Sequence, residues 1–398
     1  MKALVLALLP ALALAAPPPA RRVSSLVVPM DPASEASSVR MEGYMNEALQ
    51  HFEGFAVRKP EELFGLPEDT AAKASLDRGR KGYSESVAAY DKKEYEEAEK
   101  KVRAALKELE SAAGAMRGCS PLCESLALYA ALLHLRGDVE EAKLALMDLI
   151  ALNPTFELDP KRFSREFIGL RVQVATGRTA QLRGGATVKS RPAGARVFVD
   201  GELVGYTPMT LPALAIGKHL VRLERPGFRQ HGLLLEVTPD DVESSTDLVP
   251  TAAYKAYDAQ LDRVAGEVIR AGSKSSGVTA MGQSLGLDRA VVGTVKAVED
   301  GSELHLGYYD IKSGRRLGGR RVVLQGDEFG QLKQEMERMV NQLVNASGEK
   351  VSRSSDPLDN RGGTEDWSAE DRGGRTKASE KKAKTDDPLD SVSGTEDW

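Results

Sequence analysis

The chain has 398 residues, 41% of them apolar, and a nearly balanced charge of net −5 with 54 Lys and Arg against 59 Asp and Glu. That length suggests about two to four domains, and the lack of a basic surplus excludes the footprint of a nucleic-acid partner. The five histidines (His51, His134, His219, His231, His305) lack paired metal spacing, and no nucleophile elbow, P-loop or dinucleotide fingerprint occurs. The expectation is therefore no catalytic residue, no metal, no cofactor and no enzyme.

Lys2 precedes an apolar run from Ala3 to Leu14, which ends in the small-residue pattern Ala13-Leu14-Ala15 before Pro17, Pro18 and Pro19. This is the layout of a secretory signal over residues 1–15, and it predicts an exported protein of the periplasm or cell surface. No later segment reads as a membrane span. Next, Val23 to Met30 reads as a buried strand, Ser34 to Phe52 as a helix, Phe55 to Val57 as a short strand, and Pro60 to Leu63 as a helix start. Residues 23–66 thus look like half of an α/β domain.

From Ala71 to about residue 178 the pattern is helical. Tyr95, Ala98, Val102, Ala105, Leu106 and Leu109 make one apolar stripe, and Leu126, Tyr129, Ala130 and Leu133 another; Arg136-Gly137-Asp138 turns the chain into a helix carrying Ala142, Leu146, Leu149 and Ile150. Tyr83 to Leu109 and Leu126 to Pro154 each give helix, tight turn, helix, and resemble tetratricopeptide-type repeats, which implies a groove for protein or peptide; a spacer bundle is the alternative. Only two repeats are visible and three are normally needed for an independent solenoid, so these helices should cap against another domain. Between them lie Cys119 and Cys123, the only cysteines, with Pro121 supplying a turn. In an oxidising compartment a structural disulfide is expected, stabilising by about 2 kcal/mol at most; redox or metal roles fit the spacing less well.

Residues 182–250 read as all-β. Val197, Phe198 and Val199 precede the hairpin signal Asp200-Gly201; further turns follow at Gly205-Tyr206-Thr207-Pro208, Gly217-Lys218 and Arg225-Pro226-Gly227-Phe228, with Leu233 to Leu235 as a last strand and Asp240-Asp241 as a helix start. Pro192, Gly194, Ala195, Asp200, Gly201, Gly205, Thr207, Pro208, Gly217, Pro226, Gly227 and Phe228 together resemble the PEGA domain, with Ala193 standing where the name has Glu. The resemblance implies a small β-sandwich of extracytoplasmic proteins with a structural or adhesive role. Every one of those residues has a turn or packing task, so none needs to touch a ligand.

Residues 255–345 look like the other half of that α/β domain: Tyr254 to Leu285 returns to helix, with Leu261, Val264, Val268 and Ile269 on one side. Three strands follow (Ala290–Val298, Leu304–Asp310, Leu317–Leu324), then a helix through Leu332, Met336, Met339, Val340 and Leu343. Gly286 to Gly293 and Tyr309 to Gly314 resemble the later half of a small α/β domain of Tol-type and curli-secretion-type envelope proteins. The two terminal pieces complement each other, which predicts one α/β domain split by the helical and β modules; two unrelated small domains are the alternative. Arg315-Arg316 and Arg320-Arg321 are a basic cluster, either for an anionic partner or simply a solvated strand edge.

Residues 346–398 are polar and should be disordered. Inside them Asp-Pro-Leu-Asp and Gly-Thr-Glu-Asp-Trp occur twice, with Asp356, Leu358, Glu365, Asp366 and Trp367 in one copy and Asp387, Leu389, Glu396, Asp397 and Trp398 in the other. A Trp among acids, with no core to enter, reads as a partner-binding motif; neutral duplication is the alternative. The composite expectation is an α+β multi-domain, non-enzymatic bacterial envelope scaffold or adaptor. Its partners would be envelope proteins within a multiprotein machine. A structural protein binding peptidoglycan or surface glycan through the β module is the second reading.

Overall fold

The computed structural model describes residues 19–177, 181–325 and 329–348. The signal segment and the duplicated tail motif lie outside them. At the N-terminus come β1 (Arg21–Pro29), a 3-10 turn (Pro32–Ser34), α1 (Glu35–Gln50), β2 (Phe55–Val57) and α2 (Pro60–Phe64). The helices and strands that complete this layer arrive after residue 250: α8 (Ala252–Asp258), α9 (Leu261–Arg270), α10 (Ser276–Ser284), β10 (Arg289–Val298), β11 (Gly301–Asp310), β12 (Arg316–Gln325) and α11 (Phe329–Ala346). Both groups share one five-stranded sheet of order β12-β11-β10-β1-β2.

The join is the parallel pairing of β1 with β10, in register from Val23 opposite Arg289 to Pro29 opposite Val295. β1 can sit there because it is apolar on both faces, as a central parallel strand must be. Val23 and Val27 enter a core with α1 and α11, while Leu26 enters a second core with α9, α10 and Tyr257 of α8. Asp288 fixes the entry to β10 by accepting the Arg22 main-chain N–H at 2.9 Å. The α/β domain is therefore split between the two ends of the chain.

Between the halves run α3 (Thr70–Asp91), α4 (Tyr95–Ser111), a 3-10 turn (Ala113–Ala115), α5 (Leu122–Arg136), α6 (Val139–Leu152) and α7 (Arg165–Thr176). The Asp69 carboxylate caps α3 by accepting from the Ala71 and Ala72 N–H groups, and Gly137 ends α5 in the left-handed conformation. Two of the expected stripe residues, Tyr95 and Ile269, sit largely in solvent, while Ala98, Val102, Ala105 and Leu109 are buried. Pro121 precedes α5, and its first turn carries Cys123, disulfide-bonded to Cys119 with the Cα atoms 5.4 Å apart.

The β segment folds as β3 (Arg183–Arg191), β4 (Arg196–Val199), β5 (Glu202–Tyr206), β6 (Met209–Ala215), β7 (Gly217–Glu224), β8 (His231–Val237) and β9 (Val242–Asp247). Its two sheets have orders β6-β3-β9 and β5-β4-β7-β8. One expectation fails here. Asp240-Asp241 starts no helix, and Leu233–Leu235 is not the last strand. The chain instead enters β9, which pairs parallel to β3 from Val242 opposite Ala186 to Asp247 opposite Arg191. β9 is an edge strand with one apolar residue, held to β3 by the ion pairs Lys189–Glu243 (2.7 Å) and Arg191–Asp247 (2.6 Å).

Candidate functional site

The sandwich touches both other layers, and the signature positions make the contacts. A Cβ at Gly194 would stand 2.8 Å from Cγ2 of Val39 on α1, and one at Gly201 would stand 2.9 Å from the Arg117 carbonyl oxygen. At Gly217 it would stand 3.0 Å from Cβ of Ala151 on α6, and at Gly227 it would run into the Tyr254 ring of α8. Outside the signature, Gly232 of β8 lies backbone to backbone on Ala113 and Gly114. Glycine here permits close approach as well as turning.

The other signature residues hold the sandwich itself. Asp200 and Gly201 both have positive φ, 52° and 99°, as the two-residue hairpin between β4 and β5 requires. The Asp200 carboxylate accepts the Leu220 N–H at 2.8 Å and meets His219 Nδ1 at 2.6 Å, while His219 Nε2 faces the Ala215 carbonyl at 2.8 Å. With an acceptor at each ring nitrogen, the imidazolium is favoured. Burial opposes the charge, but the hydrogen bond and charge of Asp200 outweigh it, so the His219 pKa is raised. Thr207 accepts the Ala195 N–H at 3.0 Å and shares a hydroxyl bond of 2.6 Å with Ser190. Ala195 and Phe228 are buried in the core. Pro192 and Pro208 follow cis peptide bonds.

On the face turned to the helices, β7 carries charge. Glu224 receives hydrogen bonds from Arg222 of its own strand, from Arg117 of the helical module and, at 3.2 Å, from Gln230. Arg222 also lies 4.0 Å from the Phe198 ring centre. Lys218 reaches Glu110 of α4 at 3.0 Å, and its N–H donates to Asp148 of α6 at 3.2 Å.

Where α1, α2, α8 and the sandwich turns meet, they leave a cleft of about 630 Å³. Val27, Glu42 and Asn46 lie on one wall, Phe64, Tyr254 and Tyr257 on another, and Arg196, Tyr206 and Arg225 along the sandwich rim. The rings pack against one another at tilted angles, Phe64 to Tyr257 at 4.6 Å and Tyr254 to Phe228 at 4.5 Å between centres. Glu42 accepts the Val27 N–H at 3.2 Å. Burial pushes its carboxyl up to about 8, against the pull of that hydrogen bond and of Arg225 and with the push of Glu61. Burial likewise raises both tyrosine hydroxyls, Tyr257 most. At neutral pH the cleft therefore presents neutral O–H groups on its walls and the Arg225 guanidinium along its sandwich rim. Arg196 at the rim is paired with Glu61 at 2.9 Å.

Residues 183–248 match the PEGA domain. The match covers the whole sandwich and all twelve signature residues. PEGA domains are associated with extracellular and envelope proteins, and no helix among the described residues is long and apolar enough to cross a membrane. No curated protein matches the chain. Among the described residues no group of three or more His, Cys, Asp and Glu side chains is placed to hold a metal ion.

Of the sequence-predicted site residues, the structure brings the twelve PEGA positions together and bonds the two cysteines. The ten tail residues lie outside the described residues. The basic cluster of β12 is partly absorbed: Arg321 pairs with Glu303, and Arg316 donates to the carbonyls of Ala271 (3.1 Å) and Leu306 (3.0 Å). Sequence reasoning did not find the cleft. Glu42 and Asn46 stand one helical turn apart on α1, a spacing that a solvated helix face shows equally well.

Proposed function

We propose that the chain is an exported, non-enzymatic binding protein of the bacterial envelope, a scaffold or adaptor in which the PEGA-like sandwich is the bracket between the other modules. One observation carries this reading. Four signature glycines, Gly194, Gly201, Gly217 and Gly227, are spent on close contact with α1, the helical module and α8. A module whose defining positions face inward is suited to fixing its neighbours and leaving their outer surfaces for partners. The sequence patterns of Tyr83–Leu109 and Leu126–Pro154, read as tetratricopeptide-type, and of Gly286–Gly293 and Tyr309–Gly314, read as Tol-type and curli-secretion-type, favour protein partners within an envelope assembly. The duplicated acidic Trp motif of the tail is a second contact in this reading.

The test is capture from solubilised envelope extract by the full chain beside a Trp367→Ala/Trp398→Ala variant. A partner held only by the unmutated chain makes the tail a contact of the adaptor. Equal capture moves the contact to the folded modules, and no capture by either removes the adaptor reading. Binding to peptidoglycan through the sandwich is the second reading, because PEGA domains occur in envelope-associated proteins. Co-sedimentation with purified peptidoglycan distinguishes it.

A further inference from the structure

β1 is an inner strand of the sheet, yet only Arg21 to Val23 have a strand on the β2 side. The last main-chain bond there is Arg58 N–H to the Val23 carbonyl at 2.7 Å, and Pro60 then starts α2. From Ser25 to Pro29 the same edge has no strand beside it. Side chains of α1 stand in. Asn46 Oδ1 accepts the Ser25 N–H at 2.9 Å while its Nδ2 lies 3.5 Å from the Ser25 carbonyl, so its amide imitates a neighbouring peptide group. Glu42 accepts the Val27 N–H. In a parallel sheet these groups belong to the backbone of the next strand. Val27 and Pro29 line the cleft, so that end of the edge faces it, with Ser25 buried behind Asn46.

The second observation is Arg225 on the opposite rim. It is only 7% exposed. Its guanidinium donates to the Ala193 carbonyl and stands 5.2 Å from the Phe228 ring centre, and among the described residues it has no ion pair. A buried guanidinium without a carboxylate is costly unless an opposite charge reaches it. The nearby acids are committed elsewhere. Glu61 serves Arg196, Glu224 serves Arg117 and Arg222, Glu35 accepts the Ala193 N–H at 2.6 Å, and Glu42 keeps its proton.

We propose that this cleft binds an extended peptide segment of a partner protein that carries an acidic side chain. The peptide main chain pairs with the Val27 edge in place of Glu42, and its carboxylate meets Arg225. Strand addition of this kind draws affinity from main-chain hydrogen bonds and specificity from side-chain pockets. The cleft volume lies within the usual span of ligand sites, roughly 300–1,000 Å³. The inference rests on reading the chain as a binding protein, and it names the site and the chemistry of what is bound.

Calorimetric titration of the full chain tests it with four probes: acetyl-VEVEV-amide, acetyl-VQVQV-amide, a VEVEV peptide N-methylated at its central amides, and succinate. The acidic peptide should bind about tenfold more tightly than the glutamine peptide, the loss of one charge-assisted bond. N-methylation should abolish binding, and succinate should give no saturable heat. Arg225→Gln should bring the acidic peptide down to the level of the glutamine one. Because Arg225 is buried and its variant can fail to fold, Glu42→Ala gives an independent reading: it removes the side chain that occupies the Val27 N–H and should bind the acidic peptide at least as tightly as the parent chain. Equal binding of the two peptides, binding that ignores N-methylation, saturable binding of succinate alone, or no binding at millimolar peptide each overturns the proposal. Envelope capture without peptide binding sinks this inference and leaves the adaptor reading standing. Peptide binding without envelope capture does the reverse.

Discussion

β1 in the five-stranded sheet and β7 in the sandwich are each covered on both faces, but by different chemistry. β1 sends Val23 and Val27 one way and Leu26 the other, all into apolar cores. β7 sends Val221 and Leu223 into the sandwich core, but towards the helices it presents Leu220 with Arg222 and Glu224. The sheet thus closes by burial between chain segments far apart in sequence. The sandwich joins its neighbour through apolar contact and through charge, with Arg117 of the helical module completing the Arg222–Glu224 pair of β7. Burial of apolar area is non-directional, whereas the Glu224 cluster fixes one orientation of the helices on the sandwich.

The comparison is sharpest when each strand loses one side chain. Glu224→Ala leaves the buried Arg222 without its carboxylate and releases Arg117. Breaking a buried pair from one side costs about 3–5 kcal/mol, so denaturant unfolding should show a loss of that order. Arg117→Ala should cost much less, because that side chain is half in solvent. If the two variants lose the same amount, the cost lies in the Arg117 bond across the joint and not in the stranded Arg222. Leu26→Ala in β1 should cost about 2–5 kcal/mol through the cavity it leaves. Its effect should be as large in a chain nicked between α2 and α3 as in the intact one, because β1 is held by β10 and not by the connection. A nicked chain that sheds its N-terminal fragment on gel filtration would contradict the shared sheet.

These differences decide what could be read in advance. β1 and β10 announce themselves as apolar runs, because a strand buried on both faces has no polar alternation to hide it. Their pairing followed from complementarity, since neither end of the chain carries enough layers to cover a sheet. The sandwich was legible through turn chemistry at Asp200-Gly201, Gly217 and Pro226-Gly227. β9 was not, because an edge strand of Val242, Glu243, Ser244, Ser245, Thr246 and Asp247 has nothing to bury and reads like a polar loop. The cleft was illegible for a different reason. It depends on β2 stopping after three residues and on Arg225 arriving from a turn far along the chain. No local pattern records such an encounter. The inward use of the signature glycines was hidden as well, since positive φ already explained them.

The charge at His219 separates the two strands by pH. Its folded-state pKa is raised above the ordinary value of 6.5. Its contribution to stability is therefore complete below that value and fades as pH rises through the folded pKa. The stability gap between the parent chain and His219→Gln should be widest below the ordinary value and should narrow as pH rises through the raised one. The gap between the parent chain and Leu26→Ala should stay flat over the same range. A His219→Gln gap that widens with pH would mean the imidazole is buried neutral and the assignment of both ring nitrogens as donors is wrong.

The smallest effect belongs to the edge of the sandwich. Lys189–Glu243 and Arg191–Asp247 join β3 to β9 on the outside, with both partners of each pair well exposed. Exposed pairs are worth about 0–1 kcal/mol because water and salt screen them and two long side chains must be ordered. Glu243→Gln should change the unfolding free energy by less than about 0.5 kcal/mol, and the difference should vanish in molar salt. Glu224→Ala should keep most of its cost there, since buried charges are screened far less. The two acids, one on β7 and one on β9 of the same sandwich, would then differ by several-fold in consequence for a reason visible only in three dimensions: one has the helical module over it and the other has solvent. A large, salt-resistant loss at Glu243 would mean that the outer face of β9 is covered, and that the sandwich has a third docked neighbour besides the helices and the sheet.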